Sequence, residues 1–189
     1  MNFYPDERVA LFIDGSNLYA HTLTRSSEIM IIIALGSNQT GNWGNPEETV
    51  RRALLELDCS GVRVLKASRL ILSAPFGKTN QPAFVNGVAR VATHLPPQAL
   101  MQRLHMVERQ AGRKRNLRWG PRTLDLDLID YHGLVRRSTL TLPHPGVASR
   151  IFVLKPLAEL EPSWRHPVLH QSAAMLLRRL DAKGEGGEL

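Results

Sequence analysis

From Leu124 to Leu128 the chain alternates leucine and aspartate, and this alternation narrows the fold more than any other feature. In a strand successive side chains point to opposite faces, so Leu124, Leu126 and Leu128 share one face. Asp125 and Asp127 share the other, about 7 Å apart along the chain. The leucine face needs an apolar layer against it. The carboxylates repel one another unless a cation lies between them. A hard divalent ion such as Mg²⁺, completed by the phosphate oxygens of a substrate, suits such a pair. Taken alone, Asp-x-Asp also fits a half-exposed edge strand whose polar face happens to carry aspartates.

The residues before the strand favour the metal reading. Arg118 and Arg122 bracket Trp119-Gly120-Pro121, a bend that can aim both guanidinium groups at one place. Guanidinium forks bind phosphate oxygens bidentately, and arginines around a metal pair stabilise charge in phosphoryl transfer. Arg109, Arg113, Lys114, Arg115, Arg118 and Arg122 form a basic stretch in a chain of net charge +7. From charge alone this could be a solvated loop or a site for any polyanion. The common nucleotide motifs are absent. Gly36 and Gly41 have P-loop spacing, but Asn42-Trp43 follow where Lys-Ser/Thr is required, and there is no Gly-x-Gly-x-x-Gly fingerprint. His105, His144, His166 and His170 lack metal-ligand spacing, and no Ser-His-Asp arrangement is supported. His144, in a Pro-His-Pro turn, reads equally as a phosphate donor or a surface histidine.

Periodicity gives the element order. Strands are predicted over Ile29–Leu35, Val62–Leu72, Phe84–Thr93 and Thr123–Tyr131. Helices are predicted from Asn45-Pro46 to Gly61 and over Pro97–Ala111, with shorter ones at Arg150–Leu160 and Ser172–Leu180. His132-Gly133 is read as a turn into a further short strand. From Met30 the order is strand, helix, strand, strand, helix, strand. This predicts an α+β fold: a ferredoxin-like split βαβ antiparallel sheet with helices, closed into an α/β/α sandwich by the C-terminal helices. The expected division is an N-terminal extension at 1–28, one domain at 29–180 and a disordered tail at 181–189. Cys59, the single cysteine, is expected to be a small apolar filler near a helix end. One thiol and no long apolar run predict a cytoplasmic protein without a membrane span.

RWGPRTLDLDLI at 118–129 resembles the signature of the 6-hydroxymethyl-7,8-dihydropterin pyrophosphokinase family. ALGSN (34–38), SAPFG (73–77), QPAFVNGV (81–88), ERQAGR (108–113), TLPHP (141–145) and SRIFVLKPL (149–157) support it in the same order. The resemblance covers roughly residues 30–180. It implies transfer of diphosphate from ATP to the pterin hydroxymethyl group, leaving AMP, in folate biosynthesis. It also implies two Mg²⁺ ions held by Asp125 and Asp127, with Arg113 and Arg122 beside them in the catalytic group. ATP would be met by His105, Glu108, Arg115, Arg118, Trp119, Thr141, His144 and Arg150. The pterin would lie between Phe84 and Phe152, read by Asn86 and by backbone around Ser73, Ala74 and Phe76. His105 departs from the glutamine that many relatives carry beside the adenine, and Pro145 from a tyrosine found in some. ATP and the pterin are the expected partners. No nucleic acid is expected, and a monomer is.

Residues 8–20 (RVALFIDGSNLYA) resemble instead the opening strand of NYN-type nuclease domains, in which the strand-end aspartate, here Asp14, binds metal. The rest of that domain is missing, so the segment is read as a fusion remnant or a misjudged start. The rival readings of the whole chain are a nucleic-acid-binding or nuclease-like protein and an inactive homologue.

Overall fold

The computed structural model describes residues 30–59, 61–75, 80–113 and 120–182. The segment 8–20, with Asp14, and the tail from 183 lie outside the described residues. In chain order the elements are β1 (Ile31–Ser37), α1 (Pro46–Asp58), β2 (Arg63–Ala67), β3 (Ile71–Ser73), β4 (Phe84–Ala92), α2 (Pro97–Gln110), β5 (Asp125–Tyr131), a 3-10 turn (Val147–Ser149), α3 (Ile151–Leu160) and α4 (Ala173–Asp181). The strands run β2-β4-β1-β5, with β3 also on β4, and every pairing is antiparallel. This is the sheet that the element order predicts.

Local chemistry sets the ends of α1. Asn45 accepts from the Glu48 backbone N–H at 3.0 Å, and Glu48 accepts in return from the Asn45 N–H at 2.8 Å. With Pro46 in the first turn, this reciprocal cap satisfies donors that the helix leaves open. Cys59 differs from expectation: it caps the C-terminus of α1 and is exposed, because the helix turns its apolar face away at Leu57. The predicted strand Val62–Leu72 is broken into β2 and β3. The Ser68 N–H bonds the Val88 carbonyl, and the Ser68 hydroxyl accepts from the Val88 N–H at 3.0 Å, which takes up the ladder partners at the break. Among the described residues after the turn at His132-Gly133 there is no continuous strand, only the isolated bridges Arg136–Leu142 and Arg165–Ser172.

Two cores flank the sheet. On one face Ile31, Ile33 and Leu35 pack with Leu124, Leu126 and Leu128 against α1 and α2. On the other Ile32, Ala34, Val88 and Ile129 pack against α3, α4 and Trp164. A bulge in β5 shapes the second face. Ile33 pairs with Leu128 and Ile32 with Asp130, so Ile129 is the extra residue. Asp130 therefore turns back to the α3–α4 side, where it is 3% exposed. There it accepts from Trp164 Nε1 at 2.8 Å and from the Gly133 N–H at 3.0 Å. No helix among the described residues is long and apolar enough to cross a membrane.

Burial pushes the Asp130 carboxyl above its ordinary range, partly offset by the hydrogen bonds from Trp164 and Gly133. Between the ordinary and the raised value the folded protein binds more protons than the unfolded one. Stability from this group is therefore present at low pH and lost as pH rises through the folded value. Urea unfolding of wild type and Asp130→Asn from about pH 4 to pH 7 is expected to show wild type losing ground to the variant as pH rises. A difference that stays constant with pH contradicts this.

Candidate active site

β5 carries the two carboxylates and β1 makes room beside them. Across the sheet, Asp125 pairs with Gly36, which pairs with Asn86; one step on, Asp127 pairs with Ala34, which pairs with Val88. The central strand thus changes from isoleucines to Ala34 and Gly36 where it passes the aspartates. A Cβ on Gly36 would stand 2.9 Å from the Asn86 side-chain oxygen. These small residues floor a cleft of about 650 Å³, counting its open mouth. Its walls include Asp125 and Asp127 on the β5 side, Phe84 and Ser73 on the other, and Phe152 from α3.

Each aspartate is balanced by arginine. Asp125, 19% exposed, pairs with both Arg113 and Arg122. Asp127, 29% exposed, takes Arg150 at 2.9 Å, with His144 Nε2 at 3.7 Å. Glu108 lies behind this group at 2% exposure, bonded to Arg113 and accepting from the Leu126 backbone N–H at 2.9 Å. It fixes both the arginine and the strand. Burial lowers the His144 pKa; Arg150 lowers it too, while Asp127 opposes them. The Nδ1 atom of His144 accepts from the Gly146 N–H at 3.0 Å, so the neutral ring carries its proton on Nε2, facing Asp127. His144 is therefore a neutral donor pointing toward the carboxylate edge of the cleft.

The opposite wall is also ordered. Asn86, 4% exposed, donates to Ser73 Oγ at 2.9 Å. Asn38, 3% exposed, accepts from the Arg122 N–H at 2.8 Å and donates to Gln81 Oε1 at 3.2 Å and the Pro82 carbonyl at 3.0 Å. It joins the turn after β1 to both sides of the cleft.

The structure brings Asp125, Asp127, Arg122, Arg150, Ser73, Ala74, Phe84 and Phe152 to one cleft. Arg113, Glu108, His144 and Asn86 stand directly behind or beside its walls. His105 and Thr141 are half-buried and do not line it; the Thr141 hydroxyl donates to the Ser138 carbonyl at 3.3 Å. Phe76, Arg115, Arg118 and Trp119 lie outside the described residues. Asn38 and the small floor residues Ala34 and Gly36 were not singled out from the sequence as site residues. The signal for the floor is the break in the apolar run Ile31–Leu35, where a strand otherwise made of branched residues admits alanine and then glycine.

No group of three or more His, Cys, Asp or Glu side chains placed to hold a metal occurs among the described residues. The protein itself thus offers two carboxylates, which fit an ion that keeps water and substrate oxygens in its remaining positions.

The sequence model of the 7,8-dihydro-6-hydroxymethylpterin-pyrophosphokinase family matches residues 32–162. A 2-amino-4-hydroxy-6-hydroxymethyldihydropteridine pyrophosphokinase of Pseudomonas aeruginosa is 42% identical over 139 residues, covering 72% of this chain and 83% of that protein. The Synechocystis protein of the same name is 38% identical over 152 residues, covering 79% and 75%. The folic acid synthesis protein fol1 of Pneumocystis carinii is 35% identical over 167 residues. The chain spans only 22% of that much longer protein, although 88% of the chain is matched. The match to the family model, more than half the chain, and the coverage of the bacterial relatives agree with the carboxylate cleft: the chain belongs to the 7,8-dihydro-6-hydroxymethylpterin-pyrophosphokinase family, the pyrophosphokinases of folate biosynthesis.

Proposed function

We propose that the chain transfers diphosphate from ATP to the hydroxymethyl group of 6-hydroxymethyl-7,8-dihydropterin, releasing AMP, in a reaction that depends on Mg²⁺. The observation that carries this reading is the cleft in which an arginine-balanced aspartate pair faces a slot bounded by two phenylalanines. A flat heterocycle suits the space between Phe84 and Phe152, and Asn86 with Ser73 offers polar groups to its edge. In the transfer, the hydroxymethyl oxygen bonds to the β-phosphorus, and the bond from that phosphorus to the α-phosphate oxygen breaks. The electron pair leaves with AMP, and the hydroxyl proton passes to a carboxylate or water.

Most of the acceleration would come from positioning and charge neutralisation. Asp125 and Asp127 would hold two Mg²⁺ ions, which when bound neutralise triphosphate charge and activate its phosphorus. Arg113, Arg122 and Arg150, drawn from the aspartates, would take phosphate oxygens. His144 would add a neutral Nε2–H donor. Arg115, Arg118, Trp119 and Phe76 complete the proposed set, with His105, Glu108 and Thr141 toward the nucleotide. Residues 1–28 are proposed to take no part in turnover, the domain being 29–180. A cytoplasmic monomer is the proposed setting.

Asp127→Ala is expected to lower AMP formation, assayed with both substrates and Mg²⁺, by at least about a thousandfold, with the fold retained. Turnover equal to wild type removes the metal assignment. Gly36→Val is expected to raise the pterin KM more than about tenfold while nucleotide affinity holds, since the new side chain occupies the cleft floor. An unchanged pterin KM would refute that placement. Protein lacking residues 1–28 is expected to turn over at the wild-type rate. Loss of turnover in a still-folded truncation would give the N-terminal segment a role.

A further inference from the structure

Helix α3 delivers Arg150 and Phe152 to the cleft, yet its packing lies over β4 and β3 more than over the strand that bears the aspartates. Two polar contacts tie the 150–164 segment to β5. In front, Arg150 Nη1 meets Asp127 Oδ2 at 2.9 Å. Beyond the far end of the helix, Trp164 Nε1 donates to Asp130 Oδ2 at 2.8 Å. The ion pairs of Glu159 with Arg69, and of Glu161 with Lys66 and Arg90, hold the C-terminal end of the helix to β4 and the β2–β3 stretch.

The two ties differ in what can compete for them. The front pair is partly open, with Arg150 20% and Asp127 29% exposed, and it lines the cleft. A phosphate competes for the guanidinium and a cation for the carboxylate. The rear pair is sealed: Asp130 is 3% and Trp164 2% exposed, and the second Asp130 oxygen is filled by the Gly133 N–H. Nothing that enters the cleft reaches it. The β5 bulge at Ile129 is what places Asp130 on this face at all.

We infer that Asp130 and Trp164 are a positioning pair, a buried pivot that keeps Arg150 and Phe152 aligned with Asp125 and Asp127 once substrate has opened the Arg150–Asp127 contact. This rests on the pyrophosphokinase reading. In the free protein both ties hold, and loss of one is covered by the other. In the loaded protein the rear tie is the one of these two polar contacts that remains, beside the apolar packing of α3 on the sheet.

Trp164→Phe keeps an aromatic ring in the core and removes only the donor. Amide hydrogen exchange across α3 is measured with and without Mg²⁺ and a non-hydrolysable ATP analogue, beside steady-state kinetics. The variant is expected to match wild type within about twofold when free. When loaded, its α3 amides are expected to exchange about tenfold faster than those of loaded wild type, the loss of one buried hydrogen bond. The pterin KM should rise by a similar factor and kcat change less. If Trp164→Phe does not fold, Asp130→Leu, which keeps the branched shape but removes the acceptor, carries the same expectation. Equal acceleration in free and loaded protein, or none in either, overturns the pivot and leaves the functional reading standing. A wild type that forms no AMP overturns that reading itself.

Discussion

The site is organised by the mutual repulsion of Asp125 and Asp127. Strand alternation forces both side chains onto one face, because the intervening leucines are committed to the core between the sheet and helices α1 and α2. Two carboxylates so placed require compensation, and arginines from three separate segments supply it: Arg113 after α2, Arg122 just before β5, and Arg150 at the start of α3. The same guanidinium groups are the natural ligands of phosphate. A substrate that brings phosphates together with cations can therefore exchange partners with the site without leaving any charge uncompensated. The free arrangement is a balanced resting state for such chemistry.

This charge balance needs space beside it, and the space comes from β1. Where the central strand passes Asp127 and Asp125 it carries Ala34 and Gly36, and their neighbours on β4 are Val88 and Asn86. The absence of bulk along this row opens the cleft between the sheet and α3. Asn38, one residue past β1, then ties the Arg122 backbone to Gln81 and Pro82 on the other wall. One strand thus contributes core on its first face, floor on its second and a junction at its end.

Much of this was legible in the sequence. The leucine–aspartate alternation gave the faces of β5, and the order of apolar periods gave the antiparallel sheet with its split βαβ connections. The motif around residues 118–129 led to the family to which the chain belongs. What could not be read came from contacts distant in sequence. Nothing local marks Ser68 as the residue that interrupts the predicted strand, because its ladder partners sit on Val88. Nothing local reveals the β5 bulge, without which Asp130 would face the other core. Cys59 was misplaced because helical spacing does not say where the last buried turn ends. Gly36 and Ala34 were visible as small residues in an apolar run, but only the cross-strand register shows that they flank the aspartates.

On the proposed function, the aspartate pair exchanges arginine for cation when nucleotide phosphates arrive. Electron paramagnetic resonance titration with Mn²⁺ measures this directly. Without nucleotide, Mn²⁺ is expected to bind weakly, since the arginines already satisfy the carboxylates. With a non-hydrolysable ATP analogue it should bind far more tightly to wild type than to Asp125→Asn or Asp127→Asn. Equal Mn²⁺ affinity with and without the analogue, or variants that bind as wild type does, would show that no such exchange takes place.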